Sequence, residues 1–238
     1  AKELLSEGKV KKVVGWKKGL FEDDITPAVF TTAEELDKDF VFNKYCKANL
    51  SKYLVGITKN IEIAKSTTRM NNTMAKQRDP NAQDAPIPQE VVLVFLKPAD
   101  TYSFTQLLKE SRITREDVYA IGVPCQDTID GGDLCDNCAG KKPVSCDEYI
   151  GVDPNTDVSP NTSRMEEVAK LEAMSVEERY NFWRNEFSRC IRCNACRNVC
   201  PACTCEKCVF DNNALYTTQK VAETNFEESL FHIIRAWH

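Results

Sequence analysis

Apolar residues follow unlike patterns in the two halves of the chain. From Ala1 to Val14, leucine and valine alternate with lysine and glutamate at helical spacing, which predicts a basic amphipathic helix leading into Val13-Val14-Gly15-Trp16. Thr32-Ala33-Glu34-Glu35 has the form of a capping box, and it predicts a helix running through Leu36. A second helical stretch is expected from Asn43 to Leu54, with Cys46 early in it. Residues 66–89 are polar and contain Asn71, Asn72, Pro80, Asn81, Asp84, Pro86 and Pro88, a composition that predicts a long loop or lid.

The longest apolar run, Val91-Val92-Leu93-Val94-Phe95-Leu96, suits a buried strand and is far too short to cross a bilayer. A helix at Ser103–Ser111 and a second strand at Val118–Val123 complete a strand–helix–strand unit with a parallel return. Residues 1–150 are therefore expected to form an α/β domain with a βαβ core and a mixed sheet. Pro124-Cys125 ends the second strand and opens an irregular loop with Gly131, Gly132, Cys135, Cys138, Gly140 and Cys146. Residues 151–164, rich in Asp, Asn, Pro, Ser and Thr, read as a linker. Residues 165–238 predict a mostly helical and loop module. It begins with a helix pair over Met165–Ser188, broken near Ser175. It ends in a helix over Asn225–His238 with Phe226, Leu230, Ile233, Ile234 and Trp237 on one face. That helix stops without a Gly cap or a polar tail, and position 1 is Ala rather than Met; both predict a longer native chain.

Composition narrows the function classes. A net charge of −5 and the lack of an arginine-rich block give a nucleic-acid role no electrostatic footprint. No secretory signal is visible, so a cytoplasmic location is expected. Both histidines, His232 and His238, lie at the C-terminal end, which removes any Cys–His or Ser–His–Asp pair. Gly15 and Gly131-Gly132 do not make a GxGxxG turn, and there is no phosphate loop. No catalytic residue is predicted.

The twelve cysteines carry the chemistry. Those between Cys190 and Cys208 are too closely spaced to pair with one another as disulfides without strain. Cys190-x-x-Cys193-x-x-Cys196-x-x-x-Cys200-Pro201 has ferredoxin spacing at every position. Cys-x-x-Cys-x-x-Cys wraps three corners of a 4Fe–4S cube, and its backbone N–H groups can donate to the cluster sulfurs. Structural zinc sites instead space two Cys-x-x-Cys pairs well apart, so a zinc-stabilised scaffold is the weaker reading. The extension Cys203-x-Cys205-x-x-Cys208 adds three thiols. Either Cys208 closes the first cluster, or Cys200, Cys203, Cys205 and Cys208 contribute to a second. In the front half, Cys135-x-x-Cys138 forms a bidentate hairpin, Cys125 offers a third ligand and Cys46 a fourth, with Cys146 as the spare. A lone Cys early in a helix is more often a core residue, which weighs against Cys46 on residue type alone.

Three stretches together resemble a known family. They are Val14-Gly15-Trp16-Lys17-Lys18-Gly19 with Thr26-Pro27-Ala28-Val29-Phe30; Phe42-Asn43-Lys44-Tyr45-Cys46-Lys47-Ala48-Asn49-Leu50; and Ile121-Gly122-Val123-Pro124-Cys125 followed by Cys135 and Cys138. With the Cys190–Cys208 run they resemble the β-subunit family of deazaflavin-dependent hydrogenases and dehydrogenases, and more closely its iron–sulfur offshoot. That offshoot accompanies heterodisulfide-reductase-like, hydrogenase and formate dehydrogenase complexes of anaerobes. The resemblance covers nearly the whole chain. It implies a cluster on Cys125, Cys135 and Cys138 with Cys46 as the fourth ligand, Cys146 left out, and a further two-cluster ferredoxin module beyond His238. Relatives commonly carry Lys-Gly-Cys-Asp-Ser-Arg after the central strand, where this chain has Lys97-Pro98-Ala99-Asp100-Thr101-Tyr102. The expectation is thus an electron-transfer subunit with at least two 4Fe–4S clusters, working between a hydrogenase, formate dehydrogenase or similar partner and a flavin-bearing, heterodisulfide-reductase-like one. The alternative is an FAD-containing oxidoreductase subunit exchanging electrons with a deazaflavin or nicotinamide; FAD is the less favoured cofactor.

Overall fold

A computed structural model describes residues 1–125, 140, 142–155, 163–191, 193–205, 208 and 232–233. The chain divides into two compact units, Ala1–Val158 and Ser159–His238. The first is built on a mixed sheet of β1 (Lys12–Lys18), β2 (Ile25–Phe30), β3 (Val92–Leu96), β4 (Val118–Gly122) and β5 (Glu148–Tyr149), in the order β2-β1-β3-β4-β5. β1 and β2 form an antiparallel hairpin, and every other pairing is parallel. Each residue of β3 is buried, as a central parallel strand covered on both faces requires. β2 lies on the outer edge of the sheet with Pro27 in its middle, opposite Trp16.

The α/β reading of the front half holds, and β3, α4 (Pro98–Lys109) and β4 supply its βαβ unit. α4 begins five residues ahead of the expected Ser103, because Pro98 occupies its first turn, where a missing N–H costs nothing. Phe104 and Leu107 press its inner face into the core beside Leu50, Leu54 and Ile121.

Elsewhere the local reading needs correction. The N-terminal helix, α1, covers only Lys2–Ser6, and the residues that were to follow it join β1. Thr32 caps α2 (Ala33–Asp39) by accepting the Glu35 N–H at 3.2 Å. The Glu35 carboxylate reaches one residue further back than a capping box would, to the N–H of Thr31 at 3.0 Å. No helix starts at Asn43. The Asn43 side chain accepts the Tyr45 N–H at 2.9 Å, and that of Asn49 accepts the Ser51 N–H at 3.1 Å. Such local bonds offer the backbone an alternative to helix. α3 begins only at Ser51 and runs to Arg78.

α3 therefore occupies much of the predicted 66–89 loop. Its buried stripe of Leu54, Thr58, Ile61 and Lys65 ends halfway, so the second half carries none of the apolar periodicity that marks a helix. Yet no Gly or Pro interrupts the chain between Gly56 and Pro80, and Ala, Met, Lys, Gln and Arg are good helix formers. Pro80 forces the end: Asp79 before it is extended. The following strap returns along α3, where the Asn72 side chain donates to the Ala85 carbonyl and accepts its N–H, both at 2.9 Å.

In the second unit, α5 (Ser163–Ala173) and α6 (Val176–Phe187) form the expected helix pair, and Ser175 closes a full capping box with Glu178. A short α7 covers Ala195–Val199. Of the expected Asn225–His238 helix, His232 and Ile233 are described, and they are helical; the rest lies outside the described residues. Among the described residues no helix is long and apolar enough to cross a membrane.

Candidate metal centres

The front candidate lies at the carboxyl edge of the parallel strands, where open α/β sheets place their ligands. β4 runs out through Val123, whose N–H bonds the Leu96 carbonyl at 2.9 Å, to Pro124 and the exposed Cys125. Cys135 and Cys138 lie outside the described residues. The chain re-enters at Gly140, which passes directly over the first turn of α4: a Cβ there would stand 2.9 Å from Ala99 Cα. Val144 N–H then donates to Thr101 Oγ1 at 3.1 Å, and Asp147 N–H to the Ala120 carbonyl at 2.8 Å, which sets up β5. Both ends of the cysteine loop are thus fixed to one edge of the sheet.

Cys46 reaches the same edge from the other side. Its segment is tied to β1, with Val41 N–H donating to the Trp16 carbonyl at 2.9 Å and Trp16 Nε1 to the Ala48 carbonyl at 3.2 Å. Contrary to expectation, Cys46 is not in a helix; it follows a turn at Lys44 and Tyr45. It is buried, with Sγ accepting the Asn43 N–H at 3.3 Å and facing the Val41 carbonyl at 3.5 Å. Burial pushes the Cys46 thiol up, against the opposing pull of the Asn43 N–H and the Lys97 charge. Burial and the Val41 carbonyl favour the protonated thiol, while the Asn43 N–H is a donor that a ligating thiolate would keep. Cys146 differs. Its half-buried thiol is pushed up to about 11 by burial and by the Asp147 carboxylate, and it lies 3.3 Å from where a Cβ on Gly122 would stand.

Two residues that the spacing of cysteines could not reveal complete this edge. Lys97, the first residue past β3, donates from Nζ to the carbonyls of Cys46 at 2.9 Å and Lys47 at 3.0 Å. Asp100, in the first turn of α4, is buried, and burial pushes its carboxyl up to about 6 against the pull of Lys97. Its Oδ2 has no hydrogen-bond partner among the described residues and stands 3.7 Å from Lys97 Nζ. The signal in the sequence was a Lys-Pro step straight after a fully apolar strand.

The second candidate lies within the C-terminal unit. Cys190 lies three residues past the end of α6, its N–H bonded to the Phe187 carbonyl at 2.9 Å. Asn194 takes the left-handed conformation (φ 62°) that an Asn tolerates well, and it turns the chain into α7. Cys196 sits in that helix and receives the Cys200 N–H at 3.2 Å, and the Cys203 N–H bonds the Cys200 carbonyl at 3.3 Å. Cys193, Cys196 and Cys205 are exposed; Cys190, Cys200, Cys203 and Cys208 are half-buried. Among the described residues, no three Cys, His, Asp or Glu side chains converge as a metal-holding group in either unit. The donor set itself, thiols crowded on one short stretch without a histidine, fits iron–sulfur better than zinc.

No protein-family model matches the chain, and no curated protein matches it. The class is therefore set by the fold of the first unit, an α/β domain with a mixed sheet.

Proposed function

We propose that this protein is an electron-transfer iron–sulfur subunit of an anaerobic oxidoreductase complex. The observation that carries the reading is the spacing Cys190-x-x-Cys193-x-x-Cys196-x-x-x-Cys200-Pro201. A ferredoxin-like module in the C-terminal unit would hold one 4Fe–4S cluster with these thiols, Cys203, Cys205 and Cys208 completing it or serving a second. Cys46, Cys125, Cys135 and Cys138 would hold another in the front unit. Support for the front centre comes from the buried Cys46 with its Asn43 N–H donor, and from the anchoring of both ends of the Cys125–Gly140 loop at the same sheet edge.

A bound 4Fe–4S cluster supplies one-electron storage. The chain's own part is to hold the thiolates, keep water from Cys46, and aim N–H groups at sulfur so that the reduced state is stabilised. The resemblance to the iron–sulfur offshoot of the deazaflavin-dependent β-subunit family suggests the partners: a hydrogenase or formate dehydrogenase on one side and a heterodisulfide-reductase-like flavoprotein on the other, in the cytoplasm.

Iron and acid-labile sulfide should be measured on anaerobically purified full-length chain. Two or more clusters per chain are expected, in equal iron and sulfide. Less iron than a single cluster per chain defeats the reading. A second reading, an FAD-bearing subunit, draws on the placement of the front site at the strand carboxyl ends, where nucleotide cofactors also bind. A flavin band in the same sample selects it.

A further inference from the structure

Lys97, the first residue past β3, reaches the main chain at Cys46 itself. Its side chain is 13% exposed, so the ammonium has left bulk water and its partners have to compensate. Those partners show where the charge is directed. The carbonyls of Cys46 and Lys47 lie at 2.9 and 3.0 Å, while the Asp100 carboxylate is at 3.7 Å. The Trp16 ring, 5.8 Å away, borders the same space. Were Lys97 there only to neutralise Asp100, the carboxylate would be its nearest partner. Instead the two shortest contacts grip the main chain at the cysteine itself.

We infer that Lys97 is a positioning residue for the front centre: it pins the backbone of Cys46 to the carboxyl end of β3 and places a positive charge beside the thiolate. This rests on the reading above that Cys46 is a cluster ligand. The two effects are separable. The carbonyl bonds fix where Cys46 Sγ can reach, so their loss lowers cluster occupancy. The charge favours the more negative, reduced state of a bound cluster, so its loss lowers the midpoint potential.

Three variants of the full chain divide these effects: Lys97→Arg keeps charge and donors, Lys97→Gln keeps a donor without the charge, and Lys97→Met keeps neither. Each is purified anaerobically, assayed for iron and sulfide, and titrated by electron paramagnetic resonance; the front signal is identified as the one missing from Cys46→Ala. Lys97→Arg is expected to match the parent. Lys97→Gln should retain its iron while its front centre becomes about tenfold harder to reduce, about 59 mV for one electron. Lys97→Met should lose the front cluster's share of iron and leave the other signals unchanged. If Lys97→Met fails to fold, Lys97→Gln against Lys97→Arg still decides. Parent-like iron and parent-like potential in Lys97→Gln overturn the inference while the clusters stand. A parent without iron, or a Cys46→Ala protein that loses no signal, instead defeats the cluster assignment beneath it.

Discussion

Cys46 in the first unit and the cysteine run of the second are held in opposite ways. In the first, Cys46 lies in a core that includes Trp16, Leu50, Leu54 and Phe104, and its sulfur has a backbone donor in place. In the second, none of the residues of α6 or α7 is buried, and Trp183 is 43% exposed. The difference lies in where the folding free energy comes from. Cys46 is placed by apolar burial that exists whatever it binds. The C-terminal run has little such support among the described residues, so a bound cluster would itself supply much of the stability there.

The sharpest way to break that contrast is to strip the metal. Treating the holo-protein with an iron chelator under reducing conditions is expected to abolish protease resistance across residues 163–208, while residues 1–125 keep theirs. Peptide mapping of a timed digest reads the result, and equal loss in both units would show that the front core depends on metal as well.

A smaller effect is expected within the front unit from Asp100. Its folded-state carboxyl is raised from 3.8 to about 6. Between those values the native state keeps a proton that the unfolded chain has lost, so stability falls as pH rises through this window and levels off above it. A shift of that size corresponds to about 3 kcal/mol. Asp100→Asn should remove this slope and raise the denaturation midpoint of the front unit at neutral pH, with little change near pH 4; Asp117, also raised by burial, contributes its own slope to both proteins. Urea titrations at a series of pH values measure the difference. Parallel curves for the two proteins would show that Asp100 is ionised without penalty.

The smallest effect concerns the C-terminal unit without its metal. Ser175→Ala removes the hydroxyl that accepts the Glu178 N–H at 3.2 Å, at a cost of about 1 kcal/mol of helix stability. Circular dichroism of the metal-free protein should register a loss of helicity at α6. The loaded protein should change less if the cluster dominates that unit.

What could be read from sequence divides along similar lines. β3, β4, the body of α4 and the break at Ser175 were legible from local signals such as the unbroken apolar run of β3, whereas the first turn of α4, led by Pro98, was not. The β1–β2 hairpin was not either, since Val13, Val14 and Trp16 are too few to separate strand from the tail of a helix until their partners Phe30, Val29 and Pro27 are known. The outer half of α3 was hidden by polarity, and Asn43 by a side chain that competes with the helix it was assigned to. At the site, cysteines declare themselves by spacing. Lys97 acts on the main chain at Cys46 across the fold and Asn43 acts on it locally, and neither contact leaves a periodic trace.

Pro27 on β2 has a consequence for assembly. An outer strand with a ring in place of an N–H offers a poor template to an incoming strand, and at the far border β5 is only two residues long. Among the described residues neither flank of the sheet invites extension by a neighbour's backbone. That favours recognition of any companion through side chains on helices and loops, where surface residues can change without disturbing the strands beneath.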